Sequence, residues 1–353
     1  MPPTPSSPKA TVPPIATAIA GLGRAGWTMH CEELKGKEHL FRIVAACDLL
    51  PKRLSAAKER YGCKTYRRIE DLVSDPSIEL ISIATRSLDH CAHACLALDA
   101  GKDVFLEKPI CINYDEAKLL KKKAEKSRGR LFIRHNRRFE PAFMHVKEII
   151  ESGLLGEIAE IRLTRLGYSR RNDWQTLKQF GGGMMLNWGP HIVDHALQLL
   201  GAPVASVWSD LKRMATMGDA EDHLKVILRG RNGRVVEVHV SGGALELNMP
   251  VYAVWGTKGA LTASEQTISL KYLDPKHKLP KRRASGADPN FTWSSPDDLK
   301  WIEKSIPVAP RKLYDIWEVL HKAIRGGIPF PITLEQSVEV MRVISLAKKG
   351  TGF

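Results

Sequence analysis

The sequence predicts an α/β protein: an N-terminal doubly wound parallel sheet of Rossmann type, followed by an α+β domain on a large open, mostly antiparallel sheet. Three observations predict it. Between Ile15 and Ile133, short continuous apolar runs alternate with helical segments, as in strands buried on both faces of a parallel sheet. A glycine-rich turn, Gly21-Leu22-Gly23-Arg24-Ala25-Gly26, separates the first run from the first helical segment. Past residue 155 strand-like runs follow one another, joined by short polar turns, which favours antiparallel pairing.

The N-terminal strands are read as Ile15–Ala20, Phe41–Ala46, Leu80–Ala84, Val104–Leu106 and Leu131–Ile133, each rich in Ile, Val, Leu or Phe. Helical stretches fall between them at 25–36, 51–61, 89–100 and 113–127. Pro51 suits a first helical turn, and Gly101 stands where a left-handed residue often ends a helix. In the second half the strands are Ile158–Leu166, Val204–Asp210, Leu224–Leu228, Arg234–Val240 and Val251–Trp255, with Asn232-Gly233 as a hairpin turn. One helix, 188–200, interrupts early, and two, 311–325 and 333–349, close the chain. Residues 273–310 read as a long loop or insertion.

The 353 residues suit about two domains of roughly 150 residues each. The expected division is a disordered leader over 1–14, which holds six prolines, a dinucleotide-binding domain over 15–136, and a substrate and oligomerisation domain over 137–353 whose last helix packs back on the first domain. No run approaches the ~20 apolar residues of a membrane span, and no apolar segment after a basic start suggests a signal peptide. Six cysteines, all between Cys31 and Cys111, show no disulfide framework, and point to a reducing, cytoplasmic setting. The net charge of +14 accompanies no nucleic-acid motif and reads as a solvated basic surface that also suits an anionic cofactor. The densest basic run, 276–283, falls in the expected loop.

The chemistry starts at the glycine turn. Gly21 permits a tight turn, Gly23 lets a pyrophosphate approach the backbone, and Gly26 lets helix and strand pack closely. The helix start offers free N–H groups to phosphates, with Arg24 and Ala25 in the same turn. Asp48 ends the next strand 22 residues past Gly26, where a carboxylate accepts from a ribose hydroxyl and repels a 2′-phosphate. NAD is therefore favoured over NADP, a preference that Lys52 and Arg53 soften. Glu107-Lys108-Pro109 follows a strand, so Lys108 sits near the cofactor by topology. The segment 181–195 sets a triple glycine before Asn187, His191, Asp194 and His195, spaced three or four apart along one side of a helix. Neither this cluster nor His90-Cys91-Ala92-His93-Ala94-Cys95 has the spacing of a complete metal site, and no metal is expected.

These residues together resemble the glucose–fructose oxidoreductase / inositol dehydrogenase (Gfo/Idh/MocA) family. The resemblance runs from Ile15 to the final helix. It is carried by GLGRAG at 21–26, Asp48, AGKDVFLEKP at 100–109, RRFEPAF at 137–143, GLLGEI at 153–158, the GGG…His segment at 181–191 and WGTKGAL at 255–261. It implies NAD(P)-dependent oxidation or reduction of sugars, cyclitols or related polyols by a homodimer or homotetramer. The family's catalytic Lys and His map onto Lys108 and His191. Asn187 stands where the family often has Asp, so it would orient substrate or His191 and not act as a base.

Thr85, Arg86, His90 and Glu107 join the glycine turn, Asp48, Arg53 and Lys108 as expected cofactor contacts. Thr85-Arg86-Ser87 departs from the commoner Thr-Pro-Asn on the nicotinamide side. Arg137, Tyr168, Trp174, Asn187, His191 and His195 are the expected substrate contacts, and Arg170 and Arg171 nearby would suit an acidic sugar. Two other readings stay open: an NAD-retaining enzyme that cleaves glycosides through transient oxidation of a sugar hydroxyl, and a non-catalytic dinucleotide-binding regulator.

Overall fold

The computed structural model describes residues 13–281, 298–308 and 315–353. Most of the predicted leader, the end of the basic run and the start of the helix predicted at 311–325 lie outside the described residues.

The chain opens with β1 (Ile15–Ala20), whose side chains are almost all buried. The glycine turn then enters a helical segment whose centre, Gly26–Cys31, is π-helical. This helix is shorter than the predicted 25–36, since turn conformation takes over from Leu34. There follow β2 (Phe41–Cys47), α1 (Pro51–Tyr61), β3 (Lys64–Tyr66), α2 (Ile69–Val73), β4 (Leu80–Ile83), α3 (His90–Asp99), β5 (Asp103–Glu107), α4 (Tyr114–Lys126) and β6 (Leu131–Arg134). All pair in parallel, in the order β3-β2-β1-β4-β5-β6. Strand order reverses between β1 and β4, where a doubly wound sheet opens its ligand crevice. β3 and α2, too short for a periodic signal, escape the sequence reading.

A helix not foreseen, α5 (Pro141–Glu151), leads to β7 (Ile158–Tyr168). Then come α6 (Met184–Asn187), α7 (Gly189–Leu200), β8 (Val204–Lys212), β9 (His223–Gly230), β10 (Val235–Ser241), β11 (Gly243–Ala244), β12 (Tyr252–Gly256), β13 (Gly259–Ala263), β14 (Thr267–Leu273) and β15 (Trp301–Pro307). The chain closes with α8 (Ile316–Gly326) and α9 (Leu334–Lys348). The second sheet runs β15-β14-β13-β12-β7-β10-β9-β8, with β11 beside β7. It is antiparallel except where β10 runs parallel to β7. The segment 273–310, read as a loop, contains the edge strand β15, paired in register along β14. Its charged, half-exposed residues mask the alternation that a sequence reading looks for.

The C-terminal helices join the two sheets. α9 packs against α4 as well as α7 and β8, and the Tyr114 N–H donates to Ser345 Oγ at 2.9 Å. α8 returns to the outer face of the parallel sheet. Its fully buried Trp317 lies edge-on to Phe41, Phe105 and His30 with ring centroids 5.0–5.7 Å apart. The Trp317 Nε1–H donates to Glu33 at 2.8 Å. Truncating such a ring costs about 3–5 kcal/mol. Trp317→Ala is expected to lower the unfolding free energy by about that much, read from urea or guanidinium titrations; a loss under about 1 kcal/mol would show that α8 does not pack here.

Candidate active site

The strand ends put the candidate residues together. Gly21 follows β1, Asp48 follows β2, Thr85 follows β4, Lys108 follows β5 and His135 follows β6. All lie at the carboxyl edge of the parallel sheet, where binding crevices form.

Each glycine of the turn has its own steric reason. Gly21 has φ +89°, and a Cβ there would stand 2.6 Å from the Ala84 carbonyl oxygen, so the loops after β1 and β4 touch. A Cβ on Gly26 would fall 1.8 Å from the Gly21 carbonyl oxygen, which no relaxation of the helix relieves. Gly23 differs. Its missing Cβ points into open space, with only Arg53 Nη1 at 4.0 Å. That open cradle, flanked by exposed Arg24 and by Ala25 at the helix start, fits a pyrophosphate. Asp48 is largely buried. It accepts from the Leu22 N–H at 2.7 Å and the Leu50 N–H at 2.9 Å, with Arg53 at 3.3 Å. These bonds fix the carboxylate at the end of β2 and leave it lone pairs for a ribose.

Lys108 reaches across the crevice, and its Nζ donates to the Asn187 carbonyl oxygen at 3.0 Å. Burial lowers its pKa to about 8; Glu107 opposes the shift, while Arg24, Arg137 and Arg134 add to it. His191, on the first turn of α7, is 7% exposed. Burial, and then the positive field of Lys108, hold its imidazole well below the usual value of 6.5, so it is neutral at pH 7. Its Nδ1 is buried without a partner. Arg137 lies over the Trp188 ring at 4.3 Å and pairs with Glu140.

Several predicted contacts take other places. The Glu107 carboxylate turns inward, to the His30 Nε2–H at 3.0 Å and Arg134 Nη1 at 2.8 Å. Burial alone would raise its pKa; the Arg134 charge and the His30 hydrogen bond outweigh it and hold it low. Glu107 thus supports Lys108 from below and does not face the cofactor. The buried His90 imidazole donates from Nδ1 to the Pro109 carbonyl oxygen at 2.6 Å and meets the Thr85 carbonyl oxygen at 3.2 Å. It braces two loops of the crevice from behind. His195 is a core residue, stacked on Phe143 at 3.9 Å, with Nε2 donating to the Arg137 carbonyl oxygen and Nδ1 facing the Tyr252 hydroxyl. Helical spacing gave the correct side of α7 but not the depth, one turn further into the core. Thr85 Oγ1 pairs with His93, and exposed Arg86 pairs with Asp89 across from the Phe180 ring.

Tyr168 is exposed at the end of β7, and Trp174 opens the turn Trp174–Thr176. Their neighbours Ser169, Arg171 and Gln175, with Asn187 and Glu221, line a small cavity of about 20 Å³. Glu221, missed in the sequence, explains part of the triple glycine. Gly183 has φ +112°, and a Cβ there would strike the Glu221 carboxylate at 2.3 Å. That carboxylate accepts from the Met185 N–H at 3.0 Å, and burial raises its pKa. His135, also missed, follows β6 and is 2% exposed. It follows a predicted strand just as Lys108 does, so the same rule could have singled it out. Among the described residues, no group of three His, Cys, Asp or Glu could hold a metal ion, and no helix is long and apolar enough to cross a membrane.

If Gly23 is the phosphate cradle, Gly23→Val leaves the thermal midpoint close to wild type while weakening NADH at least about 10-fold by filling the cradle. Fluorescence titration checks it, and unchanged NADH affinity would place the dinucleotide elsewhere.

Comparison with known proteins agrees with this geometry. Residues 15–135 match the model described as oxidoreductase family, NAD-binding Rossmann fold, and residues 143–262 match the GFO/IDH/MocA C-terminal domain. A scyllo-inositol 2-dehydrogenase (NADP(+)) of Bacillus subtilis is 24% identical over 348 residues, covering 96% of this chain and 94% of that one. A myo-inositol 2-dehydrogenase of Thermotoga maritima is 28% identical over 268 residues, covering 71% and 77%. An NAD-binding protein from Listeria innocua superposes with a TM-score of 0.81 at 22% identity, covering 97% and 98% of the two chains, a likeness of fold. The chain belongs to the GFO/IDH/MocA family of oxidoreductases and carries that family's NAD-binding Rossmann domain.

Proposed function

We propose that the chain is an NAD-dependent dehydrogenase of a sugar, cyclitol or related polyol, with His191 as general base and Lys108 as the group that stabilises the developing alkoxide. One observation carries the reading: Lys108 and a neutral, buried His191 converge beside the glycine cradle at the carboxyl edge of the parallel sheet. The inositol dehydrogenases among the relatives support the substrate class.

Bound NAD supplies the hydride acceptor. The chain's own groups handle the proton and the charge. Neutral His191 accepts the proton of the reacting hydroxyl, the task of an imidazole whose basic nitrogen is not already protonated. Lys108, held at the Asn187 carbonyl, donates a hydrogen bond to the same oxygen as negative charge builds on it. Largely buried surroundings strengthen that interaction. Arg137, with its guanidinium over Trp188, only donates hydrogen bonds, so it would hold substrate through hydroxyl or carboxylate oxygens. Asp48 supports NAD over NADP, since a second negative charge would meet a 2′-phosphate there; the Bacillus subtilis relative has NADP(+) in its name, and Arg53 beside Asp48 marks where the two preferences meet.

The second sheet supports the expectation of a homo-oligomer. Its register carries Trp208, Ile227, Glu237, Arg162 and Trp255 onto one face, and that face continues to Trp301. Trp208, Trp255 and Trp301 are 54%, 40% and 44% exposed, apolar surface that a second copy of the sheet would cover.

The test is a screen of inositols, aldoses and aldonates for NADH production. His191→Asn is expected to lower kcat by about 10²–10⁴-fold with NADH affinity unchanged. The pH profile follows from the two groups. Lys108 is charged below about 8 and loses its charge above it, so kcat/KM falls on the alkaline side near that value. His191 gains a proton only well below 6.5, so the acid limb lies there. Lys108→Met is expected to remove the alkaline limb. NAD binding without turnover of any polyol in the panel would instead favour a regulator, and release of an aglycone without net NADH would favour transient oxidation.

A further inference from the structure

Among the described residues, no carboxylate hydrogen-bonds the His191 ring. Asp194, one turn along α7, is committed to Arg138, with Nε–Oδ2 at 2.9 Å. The His191 Nδ1 is nevertheless buried and unpartnered, and a base that works from one ring nitrogen needs its proton on the other. Four titratable groups act on His191 most strongly: Lys108 from β5, His135 from the end of β6, Arg137 from the loop after it, and His195 from α7 itself. Lys108, as an ammonium, and Arg137 carry donors only, so neither accepts from an Nδ1–H. His195 has both nitrogens engaged, one on the Arg137 carbonyl and one on the Tyr252 hydroxyl. His135 remains. It is 2% exposed, and both its ring nitrogens are buried without a partner.

The chain path explains why His135 lies near His191. Glu107 of β5 is paired with Arg134 of β6, and their side chains meet on one face of the sheet. Lys108 and His135 follow that pair at the two strand ends. The Lys108 ammonium meets the Asn187 carbonyl just before α7, and the two residues after Asn136 reach α7 itself, the Arg137 carbonyl at His195 and the Arg138 guanidinium at Asp194, so His135 is held between these contacts. The segment after β6 packs against α7, and the charges that bear on His135 are those of Asp194 and Arg138 on that side and Lys108 and Glu107 on the other.

We propose that His135 is a positioning residue that acts through His191: over one interposed water it accepts from the His191 Nδ1–H, and so leaves Nε2 as the bare base at the reacting oxygen. The neighbour's bond decides which nitrogen of an imidazole carries the proton. A His191 protonated on Nε2 would present a donor to the substrate hydroxyl and could not take its proton. In this site a second histidine does what a buried carboxylate does in a Ser-His-Asp arrangement. The inference rests on the reading of His191 as the base.

Long-range ¹⁵N–¹H spectra of the full chain, labelled in its histidines and saturated with NAD, read the tautomer directly, with His191→Asn assigning the signal among the 12 histidines. The wild type is expected in the Nδ1–H form. His135→Leu is expected to move His191 to Nε2–H, and His135→Gln, whose amide oxygen accepts, to keep Nδ1–H. A wild-type Nε2–H signal, or an Nδ1–H signal unmoved by His135→Leu, overturns the proposal. With a polyol that turns over, kcat is expected to fall about 100-fold in His135→Leu at nearly constant KM, and to be largely restored in His135→Gln. Wild-type kcat in a His135→Leu protein whose tautomer has moved also overturns it. The spectra need no turnover, so a failed substrate screen sinks the dehydrogenase reading while the tautomer still decides this one.

Discussion

The site is built on a buried ion pair. Glu107 and Arg134 end adjacent parallel strands, and their side chains meet beneath the sheet's carboxyl edge at 2.8 Å. Two charges in that position carry a desolvation cost of several kcal/mol each. The surroundings offset it through more bonds than the pair alone could make. Glu107 also receives the His30 Nε2–H and the Lys108 backbone N–H. Arg134 also reaches Glu33 at 2.7 Å, and Glu33 in turn receives the Trp317 indole N–H. Because a carboxylate only accepts, His30 carries its proton on Nε2, so its Nδ1 accepts from the Ser82 hydroxyl at 2.7 Å. One connected network thus ties the helix after the glycine turn, β4, β5, β6 and α8. Its consequence for function is positional: the network fixes the two strand ends from which Lys108 and His135 follow.

The same constraint bears on the glycine turn. The loop after β1 can approach the loop after β4 only because Gly21 lacks a side chain, and the helix can start under it only because Gly26 does. Asp48 then clasps the turn from the side through the Leu22 N–H. The turn is held by sterics, by the Gly21 N–H on the Cys47 carbonyl at 2.8 Å and by that carboxylate, while the Cβ position of Gly23 stays open.

How much of this was legible follows from what each signal encodes. Continuous apolar runs bounded by breakers marked all the longer strands of the first sheet, and the glycine spacing with Asp48 pointed to the NAD-binding Rossmann domain that the family match shows. Lys108 was visible because residues past a strand end lie in the crevice whatever their type. His135 obeys the same rule and was passed over, since nothing in Arg134-His135-Asn136 looks like chemistry until the facing of Arg134 is known. Glu107, His90 and His195 were misplaced for one reason: sequence gives proximity to a site but not whether a side chain turns toward it or beneath it. His195 looked like a pocket residue by helical spacing, and only Phe143 stacked on its ring shows otherwise. β15 was lost because half-exposed edge positions carry Glu and Lys, and Glu221 because its role depends on a long-range contact with Gly183.

Asn187 is where these strands of reasoning meet. An acid is common in the family at this position, and its loss could suggest a dead site. The geometry argues differently. Lys108 binds the backbone carbonyl of residue 187 and not its side chain, so the exchange of acid for amide leaves that contact intact. What changes is the field. With no carboxylate at 187, the charges acting on Lys108 are Glu107 on one side and Arg24, Arg137 and Arg134 on the other. Burial and those arginines bring the lysine down to about 8, and the lysine in turn helps keep His191 uncharged. A carboxylate at 187 would favour the protonated form of both groups. The amide therefore keeps the imidazole free to receive a proton, and the lysine, at about 8, still carries its charge at neutral pH, the division of labour that the proposed oxidation of an alcohol would use.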